Sequence, residues 1–183
     1  TQTPAGTAEP ELAVIMADGS RAYHSRGAGK LFLFPAAGPP RSAAVPGVQP
    51  TYLFRQEGCL LLLGPAGVTR VGLEAGGRKL AVVRTAEPPR PETRYYAGLA
   101  ADLDGDGRRE IALLDDETHS VHIWAPAGGK LKPALAFPVF ELDSERGRLF
   151  EPRELAAGDV NGDGLTDLAM ICRDRVLLYP QER

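Results

Sequence analysis

The chain lacks most of the residue patterns from which catalytic and nucleic-acid-binding sites are built. Its 183 residues contain two cysteines, three histidines and one tryptophan, and no CxxC, HExxH or GxSxG motif, so the usual signatures of redox, zinc-hydrolase and serine-hydrolase chemistry are missing. His119 and His122 stand three apart on a segment that reads as a strand, where alternation sends them to opposite faces and denies them a shared metal. The GAGK run ending at Lys30 has Leu31 where a phosphate loop needs Ser or Thr, and His24 where its first glycine belongs. The expectation is a protein that is not an enzyme.

Other absences narrow the partners. The formal net charge is −3 and the arginines are scattered, so there is no basic stripe of the kind that binds nucleic acid. The longest apolar stretch, around Cys59 to Leu63, is far short of the roughly 20 residues a spanning helix needs. Trp124, in the strand-like VHIWAP, reads as core rather than as a sugar-stacking platform. Cys59 and Cys172 sit in apolar strands and read as separate buried thiols ahead of a disulfide.

What the chain does have is turns and clustered acids. A hydrophobic share of 43% with 21 glycines and 16 prolines fits a folded, turn-rich β domain and not a disordered chain. Within it one loop occurs twice, DLDGDGRRE from Asp102 to Glu110 and DVNGDGLTD from Asp159 to Asp167. Oxygen donors at positions 1, 3, 5 and 9, with a main-chain carbonyl at 7, suit a hard cation that takes six to eight oxygens. The expected donors are Asp102, Asp104, Asp106, Glu110 and the Arg108 carbonyl in the first loop. In the second they are Asp159, Asn161, Asp163, Asp167 and the Leu165 carbonyl. Two calcium sites are expected. Asp115, outside this set, is expected to tolerate replacement by alanine.

Position 12 of each loop, where an EF-hand places its bidentate glutamate, is Leu113 in one copy and Met170 in the other. The runs EIALL and DLAMIC that follow are short and apolar, and each precedes a second strand-like segment. With this DxDGDGxxD loop and apolar strand, residues from about Tyr95 to Gln181 resemble the FG-GAP or VCBS-type repeat of integrin-like β-propellers. The resemblance implies calcium-loop blades, an extracellular setting and a role in binding or assembly.

The loops begin 57 residues apart, from Asp102 to Asp159, longer than a propeller blade of about forty residues, and the excess is placed in a charged insertion over 141–154. Fainter copies begin at Glu11 and Glu57. In the Glu11 copy Thr3, Ala5 and Thr7 stand where the first loop has Asp102, Asp104 and Asp106, and the Glu57 copy also lacks the ligands, so no calcium site of this type is expected in that half. The fold expected is all-β: a β-propeller-like array of three to four antiparallel blades, whole, partial or completed by a partner. It comprises a flexible segment 1–10 and one domain over 11–183, with degenerate blades 11–94 and calcium-loop blades 95–183.

Loops of this kind bind calcium at roughly 10⁻⁴ to 10⁻³ M, which, with a chain starting at Thr1, points to a secreted, extracellular or periplasmic protein. A protein partner or larger assembly is the favoured ligand. A glycan, as in a lectin-like propeller, and service as an accessory domain of a secreted enzyme are the alternatives.

Overall fold

The computed structural model describes residues 12–25, 27–45, 50, 52–56, 59–64, 67–72, 81–86, 89–128, 130–139, 152–172 and 174–182. The segment 1–10, Glu11, Glu57 and residues 141–151 of the expected insertion lie outside them. The described residues form strands and turns and no helix, in four antiparallel sheets, none closed into a barrel. The chain divides into two compact units, Thr1–Pro88 and Pro89–Arg183.

In the first unit, β1 (Leu12–Ile15), β2 (Arg21–Ser25), β3 (Lys30–Phe34) and β4 (Arg41–Ala44) pair in chain order, as do β5 (Tyr52–Gln56), β6 (Cys59–Gly64), β7 (Gly67–Gly72) and β8 (Ala81–Ala86). Strand β6, CLLLLG, is buried along its whole length, as a continuous apolar run in a central strand requires. Period-two alternation sends Leu60 and Leu62 to one face, where they meet Ala22, Leu31, Leu33 and Val45 of the other sheet. Each such leucine contributes about 1.5 to 3 kcal/mol by leaving water. The GAGK run is the β2–β3 turn, with Gly29 at φ 58°.

The second unit repeats the plan. Strands β9 (Tyr95–Ala101), β10 (Glu110–Asp115), β11 (Ser120–Ala127) and β12 (Lys130–Pro138) form one meander, and β13 (Glu154–Gly158), β14 (Asp167–Cys172) and β15 (Arg175–Tyr179) another. Ala112, Leu114, Val121 and Ile123 of the first sheet close on Leu168 and Met170 of the second, and Phe137 packs against Tyr179 with ring centroids 5.1 Å apart. In each unit the first strands of the two sheets lie against one another, β1 on β5 and β9 on β13. The small residues of YYAGLAA and ELAAG let backbones approach there.

Strand β12 carries Pro133 and Pro138 and is an edge strand, the position where a missing N–H costs no ladder bond. Cys59 and Cys172 are buried thiols and Trp124 is buried, in keeping with their reading as core residues. His119 departs from expectation. It lies in the turn before β11 at φ 49°, not on the strand.

Candidate metal centre

Each acidic loop joins the first strand of a sheet to its second, β9 to β10 and β13 to β14. The sequence dictates the conformation by repeated side-chain capping of its own backbone, a local bonding that Asp and Asn favour. In the first loop both Asp102 oxygens accept, Oδ1 from the Gly105 amide at 2.8 Å and Oδ2 from Gly107 at 3.0 Å. Asp104 Oδ1 accepts from the Asp106 amide at 3.0 Å and Asp106 Oδ1 from Arg108 at 2.7 Å.

The second loop reproduces the pattern bond for bond. Asp159 accepts from Gly162 at 2.6 Å and Gly164 at 2.9 Å. Asn161 Oδ1 accepts from the Asp163 amide at 2.9 Å, and Asp163 Oδ1 from Leu165 at 2.8 Å. Gly105 and Gly107 stand at φ 77° and 84°, Gly162 and Gly164 at 83° and 84°, a region that side chains disfavour.

The acid at position 9 fastens each loop to its sheet. Glu110 Oε2 accepts from the Leu103 amide, and Asp167 Oδ2 from Val160, both at 2.8 Å. Asp167 Oδ1 also accepts from Gln181 at 2.9 Å. These two carboxylates are buried, whereas Asp104, Asp106, Asp159, Asn161 and Asp163 are exposed. Burial pushes the Glu110 carboxyl above its usual range, and the charges of Asp104 and Asp106 push the same way. Amide donors from Gly164 and Gly162 hold Asp159 below the carboxylate range.

The geometry brings Asp102, Asp104 and Asp106 together: one oxygen from each lies within 4.8 Å of the others. The donors are carboxylates, which suit calcium or another hard cation rather than a softer metal that favours nitrogen or sulfur. Asp102, Asp104 and Asp106 would hold such an ion. In the second loop Asn161 replaces the middle carboxylate, and its Nδ2 donates to Asp163 Oδ2 at 3.0 Å. Arg108 and Leu165 enter these loops by their amides, their carbonyls being the expected seventh-position donors.

Asp115 is the residue that sequence reasoning missed, and its expected tolerance to alanine is corrected here. It is fully buried. Its Oδ1 accepts the amides of Arg94 at 2.7 Å and Glu117 at 3.2 Å, and its Oδ2 the Thr118 hydroxyl at 2.6 Å. From Thr118 a chain runs to Ser120 Oγ, from there to His122 Nε2 at 3.0 Å, and from His122 Nδ1 to the Tyr95 hydroxyl at 2.9 Å.

The carboxylate only accepts, so Thr118 spends its one proton on Asp115 and must accept from Ser120. Ser120 in turn must accept from His122. The proton therefore sits on Nε2, and Nδ1 accepts from Tyr95. Burial lowers the His122 pKa, with the Asp115 charge opposing and Arg90 assisting, and raises that of Tyr95. The one available signal was the run of polar residues, Asp115, Thr118, Ser120 and His122, in an otherwise apolar hairpin.

Residues 102–170, which span both loops, match the family model of the FG-GAP-like repeat. The match falls on the segment whose loops resemble that repeat. No curated protein matches it. Among the described residues no helix is long and apolar enough to cross a membrane.

Proposed function

We propose that this chain is an extracellular interaction module whose sheets are propeller-type blades and whose two acidic loops bind structural calcium. The observation that carries the reading is the reproduction of one bonding pattern at two loops 57 residues apart, with aspartate at positions 1 and 5 of both and Asp104 or Asn161 at position 3. An extracellular interaction role is the general property to which an FG-GAP-like repeat points, and meander sheets with neighbouring first strands favour the blade arrangement.

The physical logic is charge. Unit charges about 4 Å apart interact by roughly 1 to 4 kcal/mol between bulk water and the protein surface, so Asp102, Asp104 and Asp106 repel one another when the loop is metal-free. A divalent ion reverses the sign of that term, and its binding free energy becomes folding free energy. Each loop lies between two strands of one sheet, so fixing the loop fixes the sheet end that a protein partner or larger assembly would meet.

The test is calcium titration by calorimetry on chelator-stripped protein, with thermal unfolding followed in parallel. Two binding events near 10⁻⁴ to 10⁻³ M and a raised unfolding temperature are expected. Absence of binding in that range would reduce both loops to acidic turns.

A further inference from the structure

Asn161 is the chain's one asparagine, and it precedes Gly162. Both are exposed, and the space where Gly162 would carry a side chain is open, with nothing within 4 Å. The surrounding contacts fall on the three atoms that intramolecular imide formation uses. Asn161 Oδ1, where negative charge develops when its carbonyl is attacked, already accepts the Asp163 amide at 2.9 Å. The Gly162 nitrogen, the attacking atom, donates its proton to Asp159 Oδ1 at 2.6 Å, within reach for proton transfer. Nδ2, the leaving amine, donates to Asp163 Oδ2 at 3.0 Å.

We infer that Asn161–Gly162 is a self-modification site at which the second loop deamidates. The Gly162 nitrogen attacks Asn161 Cγ and the N–Cγ bond forms. The amide proton passes to Asp159, which gives it up to water, while Nδ2 takes a proton from water; the Cγ–Nδ2 bond breaks, and ammonia leaves. Water then opens the cyclic imide, at Cγ to give aspartate or at the main-chain carbonyl to give isoaspartate.

The two products act in opposite directions. Aspartate at position 161 gives this loop the carboxylates that the first loop has at positions 1, 3 and 5. Isoaspartate lengthens the main chain by one carbon and moves Gly162 and Asp163 away from their capping partners. The first loop is an internal control, because Asp104 accepts the Asp106 amide and Gly105 donates to Asp102 in the same way, but a carboxylate resists nucleophilic attack. An ion held by Asp159 and Asn161 would occupy the base and the electrophile together. That dependence on metal rests on the calcium reading above, whereas the conversion does not.

The experiment is peptide mapping by mass on the full chain held at neutral pH, in chelator or in calcium. A synthetic peptide of residues 157–166 serves as reference and Asp159→Ala as the variant. The metal-free chain should convert at position 161 at least as fast as the peptide, and Asp159→Ala more slowly than wild type. Calcium at about 100 times Kd should slow conversion by up to roughly a hundredfold, in proportion to the metal-free fraction. A metal-free chain slower than the peptide, or a faster Asp159→Ala variant, would overturn the inference by showing that the bonds only restrain the loop. Equal conversion in calcium and chelator would count against calcium at this loop and leave the modification standing.

Discussion

The two units are built alike and fastened differently. Both pack meander sheets through alternating apolar residues, Leu60 and Leu62 in one, Ala112 and Leu114 in the other. They differ where the first strand of a sheet turns into the second. Between β1 and β2 the chain reverses over Met16 to Ser20, held by the Gly19 amide on the Met16 carbonyl and by Asp18 accepting the Ser20 amide at 2.9 Å. Between β9 and β10, and between β13 and β14, the connection is an acidic loop. A tight turn closes a hairpin with one carboxylate, whereas the longer loops gather like charges that oppose closure. The comparison teaches that the acids are not what the sheets need to form.

The cores should respond alike. Leu60→Ala and Leu114→Ala, both at fully buried positions, should each cost about 2 to 5 kcal/mol, measured by denaturant unfolding. A cost confined to one unit would break the likeness. Next in size is Asp115→Ala, which strands two amides and a hydroxyl; a loss of about 3 kcal/mol is expected from leaving buried donors without an acceptor. Wild-type stability in this variant would refute the role assigned to the Asp115 network.

Asp104→Ala and Asp163→Ala should each remove one calcium-binding event. At calcium about 100 times Kd each should forfeit about 2.7 kcal/mol of stability, and neither should differ from wild type by that amount in chelator. The smallest expected effect concerns pH. The folded-state pKa of His122 lies below its unfolded value, so its contribution is complete above about pH 6.5 and is lost as pH falls through that value toward the folded pKa. In chelator, the slope of stability against pH just below 6.5 should shrink in His122→Gln by at most about 1.4 kcal/mol per pH unit. An unchanged slope would show that this histidine is not the group that titrates.

The loops were legible in the sequence because their chemistry is local: the caps from positions 1, 3 and 5 link residues no more than 5 apart, so spacing alone carries them. The central strands β6 and β10 were legible as unbroken apolar runs. Strands β9 and β13 were not, since alanine and glycine, which suit a close approach between strands, carry little strand signal. Nor was β12, whose prolines argue against a strand until its edge position is known. Asp115 was misread because the Arg94 amide it accepts and the Tyr95 hydroxyl at the far end of its network come from a different strand and its neighbourhood, and the pairing of Asp115 with Tyr95, at a bulge in the β9–β10 ladder, brings them together.

The most direct test of the account is amide hydrogen exchange with and without calcium, read at the two loops and at the β1–β2 turn together. Calcium should raise protection at Gly105, Gly107, Gly162 and Gly164 and leave Gly19 and Ser20 unchanged. Equal protection at all three places, or none at the loops, would contradict the claim that the acidic connections are metal-fastened.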